Sequence, residues 1–132
     1  MGAMINLQAI RQYQKSGLDS TALDATPHQL IAMLLEGALD RLARARGAAR
    51  NDDRAGKCAN VGATISIIEY LSLSLDRNAG PVAERLSALY DFCLRHLAQA
   101  NASNDARMLD QVADVLRPIK NAWDEMPGSS RR

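Results

Sequence analysis

Few side chains in this sequence suit acid–base or covalent chemistry, and their spacing limits what they can do. The histidines are His28 and His96, and the cysteines are Cys58 and Cys93. A carboxylate-bridged dimetal site in a helical bundle requires Glu-x-x-His pairs on inward faces. Ala25 stands three residues before His28 and Cys93 three before His96, so that pattern is missing. The Gly-x-x-x-x-Gly-Lys phosphate loop, the Gly-x-Ser-x-Gly elbow and the His-Glu-x-x-His zinc motif are also absent. His28 falls in a first helical turn and is expected to be solvated. His96, between Leu94 and Leu97, is expected on a partly exposed flank. Both cysteines lie among apolar residues at helical spacing, which suits small buried hydrophobes better than a redox pair. The sequence offers no catalytic residue, no metal ligand set and no cofactor motif, and it reads as a non-enzyme.

Composition narrows the class further. A chain of 132 residues with 47% hydrophobic content builds one domain with a real core. Sixteen basic residues face 15 acidic ones, a net charge of +1, so no global field draws the chain to nucleic acid. Aromatic residues make up only 4%, too few to interleave a basic stretch with stacking rings. No apolar run approaches a membrane span and no cleavable signal is visible, so the expectation is a cytoplasmic protein without membrane insertion. Met1–Ala3 read as a cloning remnant ahead of a natural start at Met4.

The elements that carry these side chains are helices. Thr26, Pro27 and Gln29 form a capping box with proline at the first helical position, and a helix follows from Pro27 to about Arg50. Asn51-Asp52-Asp53 supplies a turn and the next cap. The second helix carries Cys58, Val61, Ile65, Ile68, Ser72 and Leu75 as a seam and ends near Asp76 to Gly80. The third starts around Pro81, with Val82, Leu86, Leu89, Tyr90, Cys93, Leu94 and Leu97 on its apolar side, and breaks at Asn101 to Asn104. In the fourth, Leu109, Val112, Leu116, Ile119 and Trp123 keep a three-four rhythm behind a cap at Ser103 or Asn104. Pro118 predicts a kink there. Short connections between long amphipathic helices imply an all-α, antiparallel, up-down-up-down four-helix bundle.

The expected organisation is an N-terminal arm and connector over residues 1–26, the bundle over 27–126 and a flexible tail over 127–132. In the arm, Leu7, Ile10 and Tyr13 share one short apolar face, and the stretch is too short to be a stable helix alone. Ser16 to Ala25 has the small polar composition of a flexible connector.

Several of these residues also agree with a known family. Tyr13-Gln14 precedes Thr26-Pro27-His28-Gln29-Leu30-Ile31-Ala32-Met33-Leu34-Leu35-Glu36-Gly37-Ala38. Ser74-Leu75-Asp76, Leu89-Tyr90-Asp91-Phe92, Ala100-Asn101 with Asn104-Asp105, and finally Trp123 follow in order. The chain resembles the FliS family of flagellar secretion chaperones. Leu35, where the family has an aromatic residue, and Pro118, inside a helix the family leaves unbroken, are departures. The resemblance implies a cytoplasmic chaperone that binds the disordered C-terminal segment of flagellin, prevents premature polymerisation and helps deliver the subunit to the flagellar export gate.

The residue pattern suits that role. A bundle needs one apolar stripe per helix, and the first three helices carry more. The expected client contacts are Ile65, Ile68, Leu71 and Leu75 on the second helix with Leu86, Leu89, Tyr90 and Leu94 on the third. The arm, through Leu7, Ile10 and Tyr13, either caps that groove or touches the client. No cofactor or metal is expected, and the free protein is expected to be a monomer or weak homodimer. The competing reading is a bundle that self-associates or binds a small apolar ligand without chaperone activity.

Overall fold

The computed structural model describes residues 25–76 and 78–126. Its regular elements are four helices: α1 (Pro27–Arg50), α2 (Arg54–Leu73), α3 (Pro81–Ser103) and α4 (Ala106–Glu125). Each packs on two neighbours in a closed ring, with α1 and α3 both lying against α2 and α4. The arrangement is an all-α, antiparallel four-helix bundle, as the periodicity predicts. The helix pairings fix the directions. Arg41 reaches Asn60 at 3.2 Å across α1 and α2, and Arg46 meets Asp110 at 3.0 Å while Glu36 meets Lys120 at 3.3 Å across α1 and α4.

Helix α1 begins where its cap dictates. The Thr26 hydroxyl accepts from the Gln29 amide at 3.1 Å, and the Gln29 side chain accepts from the Thr26 amide at 3.0 Å. Two first-turn donors are thereby satisfied reciprocally. Leu30, Leu34, Leu35, Ala38, Leu42 and Ala45 then form the inward face. Leu35 is fully buried. At the other end, the Asp53 carboxylate accepts from the Gly56 amide at 2.9 Å and starts α2. A Cβ on Gly56 would stand 2.3 Å from that carboxylate, so any larger residue displaces the cap.

Four expectations are corrected here. The buried stripe of α2 is Lys57, Val61, Thr64, Ile68 and Leu71, one step around the helix from the seam through Cys58, Ile65 and Ser72. Cys58 is exposed, and only Cys93 is a buried thiol, its pKa pushed up to about 12 by desolvation. Helix α2 stops at Leu73, where the Ser74 hydroxyl donates back to the Leu71 carbonyl at 2.7 Å. The cap of α4 is Asp105, whose carboxylate accepts from the Arg107 amide at 3.0 Å. Neither earlier candidate is free for that role: Ser103 donates to the Gln99 carbonyl at 2.8 Å, and Asn104 ends α3 in the left-handed region at φ 59°. Asparagine tolerates that conformation. Helix α4 continues through Pro118 as one element, with the ring on its exposed side.

Lys57 explains why a charged residue enters the core side of α2. Its side chain is 3% exposed, and its ammonium donates to the carbonyls of Ala100 at 3.1 Å and Asn101 at 3.3 Å. It supplies positive charge to the C-terminal end of α3, adding a donor to the Asn101 carbonyl and a second one to the Ala100 carbonyl, which also accepts from the Asn104 amide at 3.0 Å. Replacing Lys57 with methionine keeps the stem and removes the charge-assisted bonds. We expect a loss of about 1.5–3 kcal/mol in urea unfolding. A change below about 0.5 kcal/mol would show that water caps α3 equally well.

Candidate partner-binding groove

The last two turns of α4 place Ile119, Ala122 and Trp123 at i, i+3 and i+4, one face of a helix, and the C-cap Met126 follows just beyond its end. Opposite them, the first turns of α3 present Val82 and Leu86. With Pro118, these residues enclose an apolar groove of about 290 Å³ between α3 and α4. A second hollow of about 250 Å³ adds Pro81, Arg85 and Leu89 and shares Val82 and Leu86 with the first. Val82 is 61% exposed at the rim, and Met126 is also exposed. A larger hollow, about 490 Å³, is lined by Asp40 and by the Glu36–Lys120 ion pair beside Met33. Ala32 and Gly37 complete its lining, which mixes apolar and charged groups, whereas no charged residue lines the α3–α4 groove.

Trp123 forms a wall of this groove, and the first turn of α1 holds it in place. The indole stacks on the His28 ring, with centroids 4.4 Å apart and planes 17° from parallel. Its Nε1–H donates to the His28 carbonyl at 2.9 Å, a buried bond. His28 is only 4% exposed, against the expectation of a solvated residue. The reason is geometric: the antiparallel ring brings the end of α4 over the start of α1, which no local pattern at His28 reveals.

Among the described residues, neither ring nitrogen of His28 has a hydrogen-bond partner. Burial holds its pKa below the usual 6.5, with the Asp124 carboxylate opposing in part. The neutral ring is therefore the folded form, while the unfolded chain takes up a proton at the ordinary value. Stability contributed by neutral His28 is complete above about pH 6.5 and declines as the pH falls below it. Melting temperatures between pH 7 and 5 should show this decline, and His28→Phe should flatten it. An unchanged slope in the variant would assign the decline to other groups.

The eight expected client contacts divide by burial. Ile68, Leu71, Leu75 and Tyr90 lie in the core, while Ile65, Leu86 and Leu94 pack against it with part of their surface open. Leu89 is half-buried and lines the smaller hollow. Only Leu86 reaches the α3–α4 groove. Pro118, Ile119, Ala122, Trp123 and Met126 were not among the expected contacts, although Ile119, Ala122 and Met126 continue a helical apolar face in the sequence. His96 is half-buried and packs against Phe92, with centroids 4.0 Å apart. Leu7, Ile10 and Tyr13 lie outside the described residues.

Comparison with known proteins decides the family. Residues 9–130 match the family model described as "Flagellar protein FliS". The chain belongs to the FliS family. It is 38% identical to the flagellar secretion chaperone FliSB of Pseudomonas aeruginosa, covering 92% of this chain and 97% of the relative. The flagellar secretion chaperone FliS of Vibrio cholerae is 36% identical, over 90% of this chain and 88% of the relative. That of Salmonella typhimurium is 37% identical, over 93% of each. FliS proteins are flagellar chaperones and not enzymes, so the chain's role is one of binding. Among the described residues, no helix is long and apolar enough to cross a membrane.

Proposed function

We propose that this FliS chain is a cytoplasmic chaperone that binds the disordered C-terminal segment of flagellin. It prevents premature polymerisation and aids delivery to the flagellar export gate. The observation that carries this reading is the apolar groove of about 290 Å³ between α3 and α4, with Val82 exposed at its rim. An extended client that folds on binding lays amphipathic segments into such grooves. Leu86 joins this groove to the α2–α3 face, where Ile65, Leu89 and Leu94 offer further contact. Ile68, Leu71, Leu75 and Tyr90 act from the core by fixing the helices that present them. The arm, through Leu7, Ile10 and Tyr13, caps the groove or clamps the client.

Calorimetry with a flagellin C-terminal fragment tests this. Binding should show a negative heat-capacity change and a gain of helix, since a disordered client buries apolar surface as it orders. Deleting residues 1–16 should speed association if the arm caps the groove, and should speed dissociation alone if it clamps the client. A tight dimer indifferent to the fragment would instead support the self-associating bundle.

A further inference from the structure

We propose that the bundle end opposite the α3–α4 groove is a second docking surface, built for an acidic, unstructured segment of a protein partner. This end contains the α1–α2 turn and the α3–α4 connection, held together by the Lys57 bonds to Ala100 and Asn101. Charge is sorted along α1: its acids, Glu36 and Asp40, come before all of its arginines. Arg41, Arg44, Arg46 and Arg50 follow, and Arg54 opens α2; all five are exposed.

The acids nearby are mostly committed. Asp53 caps α2, Asp105 caps α4, Asp110 pairs with Arg46 at 3.0 Å, and Asp40 pairs with Arg44 at 3.2 Å. Among the described residues, Arg50 and Arg54 form no ion pair. Asp52, at the turn between them, offsets one of the two. Helix stability accounts for Arg50, in the last turn of α1, where a cation suits the dipole. It does not account for Arg54. The first turn of α2 contains Arg54 and Lys57 and no acidic residue, although a cation is disfavoured at a helix N-terminus. A residue set against its local preference points to a role outside the helix.

The partner's chemistry follows from what this end lacks. Among the described residues, the exposed large apolar ones, Met33, Leu73, Val82 and Met126, all lie in the other half of the bundle. A lipid surface is held through an apolar face beside the charges, and none is presented here. The neighbouring exposed side chains are small, Ala43, Ala55, Cys58 and Ala59, which lets a second backbone approach the guanidinium groups closely. Arginine pairs with carboxylates through two parallel bonds. The two ends are about 36 Å apart at 1.5 Å per residue along the 24-residue α1, so client and acidic partner can be bound together.

Fluorescence anisotropy with labelled poly-L-glutamate tests the surface, using the full chain. Arg44→Gln/Arg50→Gln/Arg54→Gln, which keeps helix-forming side chains, should weaken binding at least tenfold, lower the melting temperature by a few degrees at most as the dipole and ion-pair terms are lost, and leave flagellin-fragment affinity unchanged. Arg95→Ser/Arg117→Ser, elsewhere on the surface, should bind as the unmodified chain does. Raising salt from about 50 to 200 mM should weaken binding several-fold, as exposed charges are screened. The proposal is overturned by no measurable binding, by equal losses in the two variants, or by tighter binding to phosphatidylglycerol vesicles or duplex DNA than to poly-L-glutamate.

Discussion

Replacing Trp123 with alanine should destabilise the fold by about 3–5 kcal/mol, the range for deleting a large buried aromatic side chain. That is a large share of the roughly 5–15 kcal/mol that holds a domain folded. Three losses coincide: the burial of the indole, its stack on His28 and its bond to the His28 carbonyl. Trp123→Phe separates them. It keeps an aromatic ring against His28 while removing the donor and part of the indole's buried volume, so an intermediate loss of about 1–3 kcal/mol is expected. Urea unfolding followed by circular dichroism measures both, since Trp123 is the sole tryptophan and its fluorescence vanishes in either variant. An alanine variant within about 1 kcal/mol of the parent would show that α1 and α4 are held together without this contact.

Val82→Glu should leave the fold intact and weaken the flagellin fragment about a hundredfold, or about 2.7 kcal/mol. Val82 is 61% exposed, so a carboxylate there stays hydrated in the free protein. In the complex it would be buried against Leu86, Trp123 and Met126 with no partner, which is strongly unfavourable. Leu73→Glu provides the control. Leu73 is 60% exposed but does not line the groove, and its substitution should leave affinity unchanged. Wild-type affinity in Val82→Glu, with weakened binding in Ile65→Ala or Leu94→Ala, would move the client to the α2–α3 face.

The fold was legible because its signals are local. The Thr26 capping box, Pro27 and Pro81 mark two helix starts to the residue, and the Asn51–Asp53 turn supplies the cap of α2. What was not legible depends on which neighbour a face meets. On α2, Cys58 and Val61 look equally suitable as core residues, but contact with α1 and α3 turns the Lys57–Val61–Thr64 line inward. Hydropathy alone sends Lys57 and Thr64 outward. It cannot register that Lys57 meets the carbonyl end of α3, or that the Thr64 hydroxyl is satisfied by the Asn60 carbonyl at 2.8 Å within its own helix. The groove residues of α4 were hidden similarly: Ile119 and Trp123 fit a core rhythm, and only the position of α3 leaves one side of them open.

The bond from Trp123 to His28 spans 95 residues of sequence. Contacts between partners so far apart require the intervening chain to be organised first, because closing so long a loop has an entropic cost that the two side chains alone do not offset. The α1–α2 hairpin needs no such wait, as Arg41 and Asn60 are separated by only 19 positions. During synthesis the early hairpin can therefore assemble while α4 is still inside the ribosome. The groove acquires its tryptophan wall only after α4 has been made and released, so a nascent chaperone has no finished groove to offer a client before then.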